Sequence, residues 1–288
     1  MNIPVPMDEE MRLALPDLTR AERQLAAHIL SNYPVAALGS ITALARAAAV
    51  SSPTVVRMVQ KLGYRGYPDF QRALRGQVEA MLMAPLSKPA RVDRIEKTHV
   101  LNSFSTSVME NIAATIAQID PEKFNAVADL LADPSRRVFA IGGRITHAMA
   151  DYFVSLMKVI RPDVLLLSDM SNAWPPAMLD MKAGDVLVIF DIRRYENAVL
   201  QAAEMARGQG AEVVLITDRW VSPAADFAAF VLPCHIEAPS AWDSNITLML
   251  LVESLLAAVQ ALTWDVTEAR MKRLEELYTQ TRLFRRYR

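Results

Sequence analysis

A single cysteine, Cys234, among 288 residues leaves no partner for an intrachain disulfide, which suits a reducing cytoplasm. Histidine is nearly as scarce. The four present are widely scattered, and none combines with Cys234 in the spacing of a metal site. Neither a metal nor another cofactor is expected. No uninterrupted apolar run reaches the ~20 residues of a membrane span. The most apolar stretch, Ile246 to Leu262, is broken by Glu253 and Gln260 and is expected to be a buried or interface helix. The opening MNIPVPMDEEMR has neither the basic nor the apolar region of a signal peptide. A cytoplasmic protein with no membrane partner is the expectation. The formal net charge is −1, so the molecule as a whole does not advertise a polyanionic partner.

What is present is unevenly distributed. Between Ile41 and Gly76 six basic residues stand against one acidic, a local excess expected of a small DNA-binding unit. Within it, Ser40 to Tyr64 reads as two short helices around a tight polar break. Ile41, Leu44, Ala45 and Ala48 recur at helical spacing. The break is Ala49-Val50-Ser51, where Ser51 or Ser52 can cap the next helix with Pro53 in its first turn. On that helix Val55, Val59 and Leu62 form one face, and Thr54, Arg57, Met58 and Lys61 are assigned to the other. An outer face of that kind fits a major groove, where Arg and Lys reach phosphates or guanine edges and Ser and Thr reach either. The candidate DNA-contacting residues are Ser51, Ser52, Thr54, Arg57 and Lys61. An ordinary helical hairpin with a solvated basic face is the alternative.

The segments Ser40-Ile41-Thr42, Leu44-Ala45, Val50-Ser51, Thr54-Val55-Val56-Arg57 and Lys61-Leu62-Gly63-Tyr64 resemble the helix-turn-helix of the RpiR family of bacterial regulators. The resemblance implies double-stranded operator DNA as a partner.

Around that element, residues 1–16 read as a loose arm. Thr19-Arg20-Ala21-Glu22 is a capping-box pattern opening a helix that Pro34 stops. A further helix runs from Asp69 to about Met81. Residues 1–82 form the helical domain and 83–97 a linker, where periodicity is lost and prolines appear. Long helices follow from about Thr98 to Ile119 and from Pro121. Strands are then expected at 138–141, 164–167, 185–190, 211–217 and 228–232, with helices between them and a last one to Leu262. Continuous apolar strands separated by helices imply a parallel sheet covered on both faces. The fold class is α/β: an all-α helix-turn-helix domain, then a doubly wound, flavodoxin-like domain over 98–263. Residues 264–288 are expected to be a solvated helix with a basic end.

The sheet region is similar to the SIS (sugar isomerase) domain that accompanies this helix-turn-helix. The resemblance implies a Gly-x-Gly-x-Ser turn and a Ser-rich loop that hold a sugar phosphate. Here the first becomes Gly142-Gly143-Arg144-Ile145-Thr146. The second is replaced by Asp191-Ile192-Arg193-Arg194-Tyr195-Glu196, while Thr217 and Ser222-Pro223 match. The candidate ligand residues are Gly142, Gly143, Arg144, Thr146, Asp191, Arg193, Arg194 and Ser222. Two readings stay open: the arginines bind an anionic effector, with Asp191 orienting one of them, or Asp191 and Glu196 are already paired with arginines.

The function expected is a DNA-binding regulator, not an enzyme, whose SIS-like domain senses an anionic metabolite, a sugar phosphate or another anion. That domain is also expected to form a homodimer or higher homo-oligomer, with contacts on Ile246–Leu262 and the helix starting near Thr98. The alternatives are a sugar-phosphate isomerase, with His147, Glu196, His235 and Glu237 as acid–base candidates, and a DNA-binding protein without an effector.

Overall fold

Apolar side chains at helical spacing close five helices around one core in the first of two units. The computed structural model describes residues 7–82, 99–168 and 170–284. The helices are α1 (Met7–Ala14), α2 (Arg20–Ser31), α3 (Ile41–Ala47), α4 (Ser52–Lys61) and α5 (Tyr67–Leu82). Met11, Leu25, Ile29, Val55, Met58 and Phe70 are fully buried together, each worth roughly 1.5–3 kcal/mol of removed apolar surface. The expected loose arm is therefore corrected over residues 7–14. Met7 and Met11 are one turn apart and share a face, which docks into this core. The linker over 83–97 lies outside the described residues, as do 285–288.

The second unit begins with α6 (Val100–Gln118) and α7 (Pro121–Ala132) and continues as alternating strand and helix. The strands are β1 (Val138–Gly142), β2 (Val164–Leu166), β3 (Val186–Asp191), β4 (Glu212–Asp218) and β5 (Phe230–Cys234). Between them run α8 (His147–Ile160), α9 (Trp174–Leu179) and α10 (Asn197–Gly208). All neighbouring strands are parallel, in the order β2-β1-β3-β4-β5. One face of the sheet, through Phe139, Ile141, Leu187 and Ile189, packs on α9 and α10. Residues of the other parity meet α8, where the rings of Phe153 and Phe190 lie 6.1 Å apart. Both faces are covered, which is why VFAIG and VLVIFD are buried along their whole length.

The short α9 falls in a stretch given no element of its own from the sequence, and it carries Pro175 and Pro176 in its first turn, where proline is tolerated. The helix α11 (Ile246–Leu262) packs on α7 and α8 of its own chain and buries Leu248, Leu255 and Val259 there. It is the buried helix expected of this apolar run, with Ile246 and Leu262 left exposed at its ends. Beyond Thr263 the chain bends by 102° into α12 (Trp264–Thr281). Most of α12 is exposed, but Thr267 is buried and Arg270 donates to the Lys158 carbonyl at 2.7 Å. Among the described residues no single helix is long and apolar enough to cross a membrane.

Candidate nucleic-acid interface and effector site

The helix-turn-helix is built from local hydrogen bonds. The Ser40 hydroxyl accepts from Ala43 N to cap α3, and Ser51 Oγ accepts from Thr54 N at 3.3 Å to cap α4. Between the helices Ala49 takes φ 52°, and Gly63 ends α4 at φ 90°. Gln24 of α2 donates to the Ala48 carbonyl and ties the turn to the domain.

The structure rearranges the expected outer face of α4. Ser51 and Arg57 are exposed and Ser52 is half-buried. Met58 is fully buried, a correction with a simple cause. At 3.6 residues per turn it lies about 60° from Val55, inside the apolar stripe. Thr54 is also buried. Its hydroxyl lies 2.8 Å from Ser51 Oγ and accepts from Arg57 Nη2 at 3.4 Å. It positions its two neighbours instead of facing outward. Lys61 donates to Glu22 Oε2 at 2.7 Å and to the Asp17 carbonyl at 3.4 Å. Glu22 is buried and closes the capping box by accepting from Thr19 N at 2.8 Å. Burial pushes the Glu22 carboxyl up, but Lys61 and Thr19 outweigh that and hold it at about 2.

In the second unit the strand order reverses between β1 and β3, and the turns at their carboxyl ends face the crevice expected there. The register sets Gly142 beside Phe190 and Asp191 beside Thr217. Gly142 admits no side chain: a Cβ there would lie 2.4 Å from the Thr146 backbone and 2.5 Å from His147 N. This close approach lets the Thr146 hydroxyl donate to the Phe190 carbonyl at 2.6 Å, tying the turn to β3.

Around Asp191 the predicted residues are brought together but engaged with one another. The Ser222 hydroxyl donates to Asp191 Oδ2 at 2.5 Å, and Thr217 Oγ1 donates to the Asp191 carbonyl at 2.6 Å. Asp191, Thr146 and Ser222 are all buried. Burial pushes the Asp191 carboxyl up to about 6, and the nearby charges of Asp218 and Glu196 add to the rise. Asp218, equally buried, is likewise pushed up to about 6.

The expectation that Asp191 orients or pairs with an arginine is corrected. Arg193 pairs with Asp243 at 2.6 Å, and its guanidinium stacks 4.2 Å above the Trp220 ring. Arg193 and Arg194 adopt φ 29° and 53°, where non-glycine residues carry strain. The turn is held by Asp218, which accepts from Arg193 N at 2.7 Å and from the Tyr195 hydroxyl at 2.7 Å. Glu196 is not paired with an arginine side chain either: its Oε1 accepts from the backbone N–H of Arg144 at 2.6 Å. Arg144 and Arg194 have exposed side chains at these two turns.

Asp218, Tyr195, Trp220 and Asp243 were not anticipated. Asp218 had a signal, as the last residue of an apolar strand next to Thr217. Asp243 had none, because its partner is far away in sequence. The acid–base candidates are dispersed in role. Burial would raise the Glu237 carboxyl, but Arg219 at 3.1 Å, together with backbone N–H donors and His235, brings it below its ordinary value. Burial lowers the pKa of His235 beside it.

Two family models match the chain: a helix-turn-helix domain of the rpiR family over residues 6–80 and the SIS domain over residues 130–258. The HTH-type transcriptional regulator HexR of Escherichia coli (strain K12) is 27% identical over 219 residues, covering 73% of this chain and 72% of that protein. Among solved structures, the sugar isomerase domain of an RpiR transcription factor from Sphaerobacter thermophilus is similar over 61% of this chain and 97% of its own, with TM-score 0.57 and 20% identity. The Vibrio vulnificus NanR protein, complexed with ManNAc-6P, is similar over 95% of this chain and 98% of its own, with TM-score 0.55 and 19% identity.

Proposed function

The chain belongs to the rpiR family of helix-turn-helix regulators carrying a SIS domain, and from that premise we propose how this DNA-binding transcriptional regulator reads its operator and its effector. Recognition rests on α4. Its capped N-terminus carries Ser51 and Ser52, and Arg57 is the exposed cation of its outer face. The exposed Arg57, held by Thr54 beneath it, is the observation that carries this reading. Thr54 acts by placing Ser51 and Arg57. Lys61 serves the fold first, through Glu22.

The effector is a phosphosugar bound at the carboxyl ends of β1 and β3. Exposed Arg144 and Arg194 supply the cationic groups there, and the turn after β1 adds the backbone N–H of Arg144. Asp191, Thr146 and Ser222 support the site from below and do not contact the ligand. Arg193 does the same through Asp243 and Trp220. The protein regulates and does not turn the sugar over. A homodimer belongs to this reading, since two recognition helices double the length of DNA read. Met109 and Ile116 of α6, both 62% exposed, offer it an apolar surface.

The test is sequencing of bound DNA fragments with and without a phosphosugar panel, followed by titration of the selected operator. Arg57→Ala should weaken operator binding by about 1–3 kcal/mol if the side chain reads a base, and evenly across sequences with a shallower salt slope if it contacts phosphate. Unchanged affinity overturns the assignment. Release of product from any phosphosugar overturns the non-enzymatic reading.

A further inference from the structure

One carboxylate in the crevice stands where an anionic ligand would have to bind. Glu196 occupies the N-terminal cap position of α10, where a short polar side chain ordinarily accepts from its own helix. It makes no such bond. Instead it crosses to the turn after β1, where its Oε1 accepts from Arg144 N at 2.6 Å and lies 3.0 Å from where a Gly143 Cβ would be. The neighbouring N–H of Gly143 already donates to the Phe190 carbonyl, and that of His147 to the Gly143 carbonyl. The Arg144 N–H of this turn is held by an internal carboxylate.

We propose that Glu196 is a displaceable internal anion that keeps the effector site closed to phosphate until a ligand phosphate takes its place on Arg144 N. This role for Glu196 presupposes that the turns after β1 and β3 bind the effector. The two anions compete for one donor, and like charges in so confined a site do not share it. Asp191 lies beneath and reinforces the exclusion whenever it is ionised, since its carboxyl is close enough to Glu196 to feel its charge. On displacement Glu196 has a second place to go: the uncapped N-terminal N–H groups of α10, adjacent in sequence and favourable to a carboxylate. Glu196 thus has two stations, one across the crevice and one on its own helix, and the ligand selects between them. The donor set left to the ligand is Arg144 N with the exposed guanidinium groups of Arg144 and Arg194, which suits a phosphate monoester.

The experiment measures binding of inorganic phosphate and of glucose 6-phosphate by calorimetry to the wild-type full chain, to Glu196→Ala and to Glu196→Gln. A tryptophan-fluorescence melt confirms that each variant is folded. The expected result is at least a tenfold gain in affinity for Glu196→Ala. A smaller gain is expected for Glu196→Gln, whose amide oxygen still reaches Arg144 N without the charge. Equal or weaker binding in both variants overturns the proposal. So does the absence of binding by all three proteins at tens of millimolar ligand, which would show that the turn is no anion site. Tighter binding that leaves operator affinity unmoved by ligand supports the competition and removes the effector role instead.

Discussion

The Nζ of Lys61, in the last turn of the recognition helix, lies 2.7 Å from Oε2 of Glu22, the buried carboxylate that opens α2. A residue that reads as a DNA contact is thereby committed to holding two helices together. The pair is asymmetric, with Glu22 3% and Lys61 42% exposed at the side chain. Removing the cation leaves a buried carboxylate with only its capping-box donors.

Lys61→Ala is therefore expected to cost the helical domain about 1–3 kcal/mol at neutral pH, a full buried-pair loss being discounted for the exposure of the lysine. All four tryptophans, at 174, 220, 242 and 264, belong to the second unit. Circular dichroism melting that shifts down while the tryptophan transition stays put is the expected signature. An unshifted dichroism transition would show the pair to be idle. Because Glu22 is held at about 2, its contribution is complete above about pH 5 and fades as the pH falls toward 2.

Gly142→Ala is expected to unfold or severely weaken the sheet domain, by more than about 3 kcal/mol, since the new Cβ meets backbone atoms of Thr146 and His147 that cannot yield. Gly143→Ala should be milder, because its Cβ meets the Glu196 carboxylate, a side chain with freedom to move. In a Glu196→Ala background that milder cost should disappear. A double-mutant cycle read by tryptophan melting measures this coupling, and additive costs would refute it.

Stability of the second unit should rise as the pH is lowered from about 7.5 to 5. Asp191 and Asp218 both sit at about 6 in the folded chain, above the ordinary value of 3.8. The folded state binds protons in that window that the unfolded chain does not, so stability falls as the pH climbs through 4 to 6 and levels off above. The pair is coupled, so the gain is at most ~3 kcal/mol for the first proton. Asp191→Asn, whose amide oxygen can still accept from Ser222, should raise the melting temperature at pH 7.5 and flatten the profile. A lower melting temperature at pH 7.5 would contradict the origin assigned to the shift.

The sequence by itself determined whatever depends on neighbours within a few residues. Caps, helical spacing and the Ala49-Val50-Ser51 break specify the helix-turn-helix, because one turn of helix closes over three or four residues. Runs such as VLVIFD specify a parallel sheet buried on both faces. The two glycines after β1 mark a close approach that the backbone of Thr146 makes real.

Tertiary structure alone decided what the charged side chains do. Lys61 meets a carboxylate 39 residues away, and the Glu196 carboxylate meets the backbone N–H of Arg144, 52 residues away. Arg193 finds Asp243 and Trp220 only because the turns after β3 and β4 and the segment before α11 converge at one end of the sheet. Charge interacts with whatever the fold brings within a few ångströms, and no local pattern encodes which partner that is. The same arginines that look like free anion donors in the linear chain divide in the folded one. Arg193 becomes part of the scaffold, and the side chains of Arg144 and Arg194 stay open to solvent while Glu196 holds the backbone N–H of Arg144.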